Sequence, residues 1–140
     1  MTTIVDADAL IGLADVNDAH HQTATQLAQT LERHQARVIL LPTALAEFAT
    51  IVADRLGLTQ TKQAVHLLVQ HYSLYQIDSA LSKVAIALYD KQTNKKNTLF
   101  DCYVMGTARE LGADCIFSFD AGHGKNGFVL IEDFFKSTQP

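Results

Sequence analysis

The sequence predicts an α/β fold, a three-layer α/β/α sandwich around a mainly parallel five-stranded sheet. Two observations carry this. Short β-branched or apolar runs alternate with helix-length amphipathic segments along the whole chain, the pattern that places helices on both faces of a parallel sheet. No Pro/Gly/Ser-rich linker, repeat or low-complexity stretch interrupts that alternation, so residues 1–140 are expected to form a single domain.

The first strand is Thr2-Thr3-Ile4-Val5, ending at Asp6, and the apolar residues 7–14 follow as a short helix. Residues 20–34 place Ala24, Leu27, Ala28 and Leu31 at helical spacing, with Gln and Thr turned outward. A second strand is expected at residues 38–41. Pro42 then opens a helix that Gly57 ends, because proline suits a first helical turn and glycine a C-terminal cap. Another helix covers residues 59–70, and residues 73–77 alternate as a third strand.

Asp78 or Ser79 can cap the next helix, which runs to Lys91, and the polar residues 91–97 read as a loop. Thr98 starts a helix that stops at Gly112. Residues 115–119 make a fourth strand, residues 122–127 a glycine-rich flexible loop, and residues 128–131 a fifth strand ahead of a short polar tail.

With 48% hydrophobic and 19% charged residues, the chain has an ordinary globular composition and enough length to bury a core without disulfides or structural metal. Any metal is then expected to serve function. Cys102 and Cys115 lie in apolar stretches and form no metal motif, which favours buried thiols. No basic-then-apolar leader opens the chain and no run approaches membrane-spanning length, so a cytoplasmic protein without membrane contact is expected. A net charge of -4 argues against a broad basic surface for holding DNA nonspecifically. It is compatible with a carboxylate-rich site, whose bound cation reverses the sign of the local field.

Four acids draw attention. Asp6 leaves the first strand where ligands bind parallel sheets, beyond the carboxyl ends of the strands. An N-cap role is the competing explanation, although Asp8 competes for it. Glu47 is the only ionisable residue between Val38 and Ala53, so its carboxylate needs compensation unless it faces solvent on an amphipathic helix. Asp101 follows Thr98 by three residues, the spacing of a capping box. Asp120 follows a strand and precedes Ala-Gly-His-Gly, where a turn-forming aspartate is ordinary.

Each alone has a structural explanation, but two strand ends and two first turns can all face one sheet edge. Such an all-oxygen set suits Mg²⁺ or Mn²⁺, which can lower the pKa of water and stabilise a leaving oxygen in phosphodiester hydrolysis.

Ile4-Val5-Asp6, Ala46-Glu47-Phe48, Phe100-Asp101-Cys102 continuing to Ala108-Arg109-Glu110-Leu111-Gly112, and Ser118-Phe119-Asp120 together resemble the PIN-domain family. The likeness spans nearly the whole chain and is strongest to the VapC-like toxin ribonucleases of toxin–antitoxin pairs. It implies an endoribonuclease dependent on Mg²⁺ or Mn²⁺, with Asp6, Glu47, Asp101 and Asp120 as catalytic and metal-binding acids. It also implies RNA as substrate, cleavage leaving a 5′-phosphate, a homodimer and a cognate antitoxin that blocks the acidic groove. Ser118 carries over as a hydroxyl that positions water or substrate.

Asp8 stands where the family often has Ser or Thr, so it joins the substrate-binding candidates as an added ligand or a displaced hydroxyl contact. Ala121-Gly122-His123 replaces a more usual polar-plus-aromatic sequence.

Lys95 and Lys96, in the loop before Asp101, are candidates for phosphate contact, with a solvated loop as the alternative. His123 ranks below the acids as a metal neighbour, because the six histidines lack zinc-site spacing. The G-x-G-x-x-G pattern at residues 122–127 is not read as a dinucleotide site, since a strand rather than a helix is expected after it. Two other functions are weighed. A receiver-like phosphoacceptor domain would use Asp78 after the third strand, but it leaves Glu47 without a role and lacks the lysine expected after the last strands. A catalytically silent PIN interaction module would not need the intact acids.

Overall fold

Each strand obeys the two-residue alternation that puts successive side chains on opposite faces. In the computed structural model, which describes residues 1–139, β1 (Thr2–Val5) pairs in parallel with β2 (Arg37–Leu40) on one side and β4 (Cys115–Phe117) on the other. The two-residue β3 (Ser73–Leu74) extends the sheet beyond β2, giving the order β3-β2-β1-β4. Ile4, Ile39 and Ile116 stand in register and face one way, while Val5, Leu40 and Phe117 face the other.

Helices cover both faces. On the Val5 side, α1 (Ala7–Ala14), α2 (His21–Arg33) and α3 (Pro42–Leu56) bury Leu10, Leu31, Phe48 and Val52 against the sheet. On the Ile4 side, α5 (Ser79–Asp90) and α6 (Leu99–Leu111) bury Ala85, Leu88, Met105 and Ala108. The helix α4 (Leu58–His71) follows α3 directly through Gly57, whose φ of +84° only glycine adopts without strain. Gly112 ends α6 in the left-handed conformation, and both cysteines are buried thiols. No helix among the described residues is long and apolar enough to cross a membrane.

The C-terminal third departs from the sequence expectation. The expected fifth strand at residues 128–131 reduces to one parallel bridge, Ile116 to Leu130, supported by the Ile116 N–H donating to the Val129 carbonyl at 2.8 Å. Ile131 instead begins α8 (Ile131–Thr138), where a polar tail was expected. Ile131, Phe134 and Phe135 recur at i, i+3 and i+4, and their burial against the Val5-side core is what makes this segment helical. The expected loop at residues 122–127 contains the short helix α7 (Ala121–Lys125), nucleated by Asp120 as its cap. The third strand is shorter than expected because Ser73 and Leu74 form an exposed edge, with one further hydrogen bond from the Tyr75 N–H to the Leu40 carbonyl.

Because every strand runs the same way, their carboxyl ends share one edge. Asp6 and Ser118 follow the register pair Val5–Phe117 and so emerge side by side there.

Candidate active site

Asp6 is buried, and every oxygen of its carboxylate is engaged. Oδ1 accepts from the Ala7 N–H at 2.8 Å, so the aspartate does cap α1. Oδ2 is held at 3.1 Å from the Ser118 hydroxyl and 2.7 Å from Nε2 of His123. A carboxylate has no proton to give, so the His123 ring donates. The cap occupies one oxygen and leaves the other to Ser118 and His123.

Ser118 ties three acids together. Its hydroxyl lies 3.1 Å from Asp6 and 3.0 Å from Asp8, and it accepts the Asp120 N–H at 3.1 Å. It is 1% exposed, which places it beneath the carboxylates. Asp8 Oδ2 also accepts from the Phe119 N–H at 2.8 Å, while its Oδ1 is buried without a partner among the described residues. Burial and the neighbouring Asp6 push the Asp8 carboxyl up to about 6.

Asp101 forms the capping box that its spacing predicts. Its Oδ2 accepts from both the backbone N–H and the hydroxyl of Thr98, at 2.8 and 3.1 Å. Burial nevertheless raises its pKa, with Asp6 adding to the effect. Glu47, in the second turn of α3, is half-buried and accepts no hydrogen bond from the described residues. Burial first, and then Asp6, Asp101 and Asp8, push its carboxyl up to about 7. Asp120 caps α7, its Oδ1 accepting the Gly122 N–H at 2.8 Å.

These side chains meet in one cleft of about 180 Å³ lined by Asp6, Asp8, Glu47, Lys96, Thr98, Asp101 and Asp120. Lys95 turns away and lines a separate cleft with Asp90 and Asn94. Asp78 caps α5 through the Leu81 N–H and lines no part of the acidic cleft.

His123 is more central than its sequence context suggests. It is 1% exposed, and Asp6, Asp101 and His123 each offer a ligand atom within 4.8 Å of the others. Burial opposes a charged imidazole, but the hydrogen bond to Asp6 and the carboxylates of Asp6, Asp101 and Asp120 outweigh it and raise the pKa. Its one sequence signal was a position three residues after Asp120, which on a helical turn brings it back toward the site.

A divalent cation fits this set. Burial and mutual repulsion push the Asp8 and Glu47 carboxyls up, and the buried Oδ1 of Asp8, which lines the cleft, lacks a partner among the described residues. Oxygen donors from Asp6, Asp101, Glu47 and Asp120 are the hard ligands that Mg²⁺ and Mn²⁺ take, and Lys96 at the rim can meet a phosphate.

No curated protein sequence matches the chain. Among solved structures, the fold is similar to that of the VapC20 toxin of Mycobacterium tuberculosis, which cleaves the sarcin-ricin loop. That match has a TM-score of 0.77 at 19% sequence identity, covering 92% of this chain and 97% of VapC20. The family model of the PIN domain matches residues 3–129. By that match over most of its length, this chain belongs to the PIN-domain family.

Proposed function

We propose that the protein is a metal-dependent endoribonuclease that hydrolyses RNA phosphodiester bonds as the toxin of a toxin–antitoxin pair. The observation that carries the reading is the convergence of Asp6, Glu47, Asp101 and Asp120 in one cleft beside Lys96. Membership of the PIN-domain family and the fold shared with a sarcin-ricin-loop-cleaving toxin support it.

Asp6, Asp101, Glu47 and Asp120 would hold Mg²⁺ or Mn²⁺. Such a cation supplies water activation at neutral pH and charge stabilisation on the leaving oxygen. His123 and Ser118 keep Asp6 in its rotamer, which fixes where the ligand oxygens sit. Glu47, which accepts no hydrogen bond from the described residues and lines the cleft, is placed to accept a proton from an attacking water. Lys96 binds a phosphate at the rim; water attacks phosphorus in line as its proton passes to Glu47, the bond from phosphorus to the 3′ oxygen breaks, and that oxygen takes a proton from solvent, giving a 5′-phosphate and a 3′-hydroxyl. The chain acts in the cytoplasm as a single-domain homodimer, and its partner is an antitoxin whose segment covers the acidic cleft.

The test is cleavage of a mixed RNA pool, with a sarcin-ricin stem-loop included, by wild type and by Asp6→Asn in Mg²⁺, Mn²⁺ or EDTA. Metal-dependent cutting that disappears in the variant supports the reading. Cutting that persists in EDTA and in Asp6→Asn overturns it.

A further inference from the structure

Three side-chain amides outside the acidic cleft form a continuous chain. Gln92, just after α5, donates through Nε2 to the Leu88 carbonyl at 3.0 Å and to Asn126 Oδ1 at 3.1 Å. Its Oε1 accepts from Asn97 Nδ2 at 3.0 Å. Asn126 in turn donates to the Gly122 carbonyl at 2.8 Å. Both Gln92 donors and its acceptor are used, so the orientation of each amide is determined by the network.

The chain closes on Gly122. A Cβ built on that residue would overlap Asn97 Oδ1, so the 92–97 segment lies directly on the backbone of α7. The same Gly122 gives its N–H to Asp120, and His123 is the next residue. On the other side of Asn97 stand Lys96, which lines the cleft, and Thr98, whose box holds Asp101.

We infer that Asn97, braced by Gln92 and Asn126, is a positioning residue that sets Lys96 and Asp101 against Asp120 and His123. The physical ground is that these groups arrive on two separate segments, the α6 entrance and α7, which this amide chain and the missing Cβ of Gly122 lock into one arrangement. A part-buried side-chain network of this kind favours one arrangement of the segments it joins, because each hydrogen bond polarises the next. The assignment of a task to these groups rests on the ribonuclease reading.

The experiment compares wild type, Asn97→Ala, Gln92→Ala and the double variant, all without metal at first. Thermal unfolding should stay within about 5 °C of wild type, since the amides are half-buried surface groups. Amide exchange at Asn126 and Phe128, whose N–H groups bond to Gly122 and His123 carbonyls, should speed about tenfold, and the His123 ring resonances should move.

Mn²⁺ affinity by calorimetry should fall about tenfold, and kcat on RNA should fall more than KM rises, the pattern of a misplaced site rather than a lost contact. The double variant should be no worse than Asn97→Ala alone, because both break one network. Wild-type exchange, His123 signals and Mn²⁺ affinity in both single variants would overturn the inference. If Asn97→Ala does not fold, Gln92→Ala is judged on the same readouts. Altered exchange and metal affinity in a protein that cuts no RNA would uphold the positioning role while removing the ribonuclease reading.

Discussion

Replacing Glu47 with Gln should stabilise the metal-free protein at alkaline pH and leave it unchanged in acid. The Glu47 carboxyl is pushed from an ordinary value of 4.5 to about 7 by burial and by the neighbouring Asp6, Asp101 and Asp8. At about 1.4 kcal/mol per pH unit, that displacement is worth about 3 kcal/mol before screening. Glu47 is only half-buried, so a realistic cost is about 1–2 kcal/mol.

A group with a raised folded-state pKa favours folding below its unfolded value and loses that contribution as pH rises through the folded value. The ionised carboxylate therefore weighs against folding above about pH 7, where glutamine carries no charge. Melting followed by circular dichroism in EDTA should show Glu47→Gln about 3–6 °C above wild type near pH 8, with the two curves merging by about pH 4. Added Mn²⁺ should raise the wild type more than the variant, since a ligand that binds only the folded state stabilises in proportion to its affinity. A variant that melts at or below wild type near pH 8 in EDTA would refute the claim that burial and the neighbouring acids disfavour the ionised Glu47.

Other substitutions probe the same site. His123→Ala should cost about 2–4 kcal/mol in urea unfolding, because it empties a buried position and deprives Asp6 of its 2.7 Å partner; a loss below about 1 kcal/mol would contradict the packing described. Ser118→Ala should cost about 1–2 kcal/mol and weaken Mn²⁺ binding about tenfold by calorimetry, since one hydroxyl braces Asp6, Asp8 and the Asp120 N–H; unaltered metal binding would deny it that role. Lys96→Ala should raise KM for RNA about fivefold at low salt while Lys95→Ala changes it little, and the difference should shrink as salt screens the phosphate contact.

The parts of the fold that depend on neighbours in sequence were readable without coordinates. Pro42 and Gly57 bound α3, Thr98 and Asp101 close their capping box, and Gly112 ends α6 in the left-handed conformation. The β-branched runs of β1 and β2 alternate as their composition requires. Reading failed where one segment satisfied two local patterns. Residues 128–131 have strand composition, and only the docking of Phe134 and Phe135 on the core makes Ile131 the start of a helix. The glycines of residues 122–127 suggest a loop, yet Asp120 capping turns most of that stretch into α7.

The sequence by itself determined which acids stand at strand ends and helix starts, because caps and periodicity are matters of a few residues. It left open whether Asp6, Asp101 and Asp120 were capping or site residues; the structure makes Asp6 and Asp120 caps and Asp101 the partner of Thr98 in a capping box, while all three also line the cleft. Only tertiary structure decided that His123 lies against Asp6, that Ser118 sits beneath three acids, and that Lys96 rather than Lys95 reaches the cleft. Those relations span more than a hundred residues for Asp6 with Ser118 and His123. They follow from parallel strand register and from the packing of α7 on the 92–97 segment, and no local pattern encodes either.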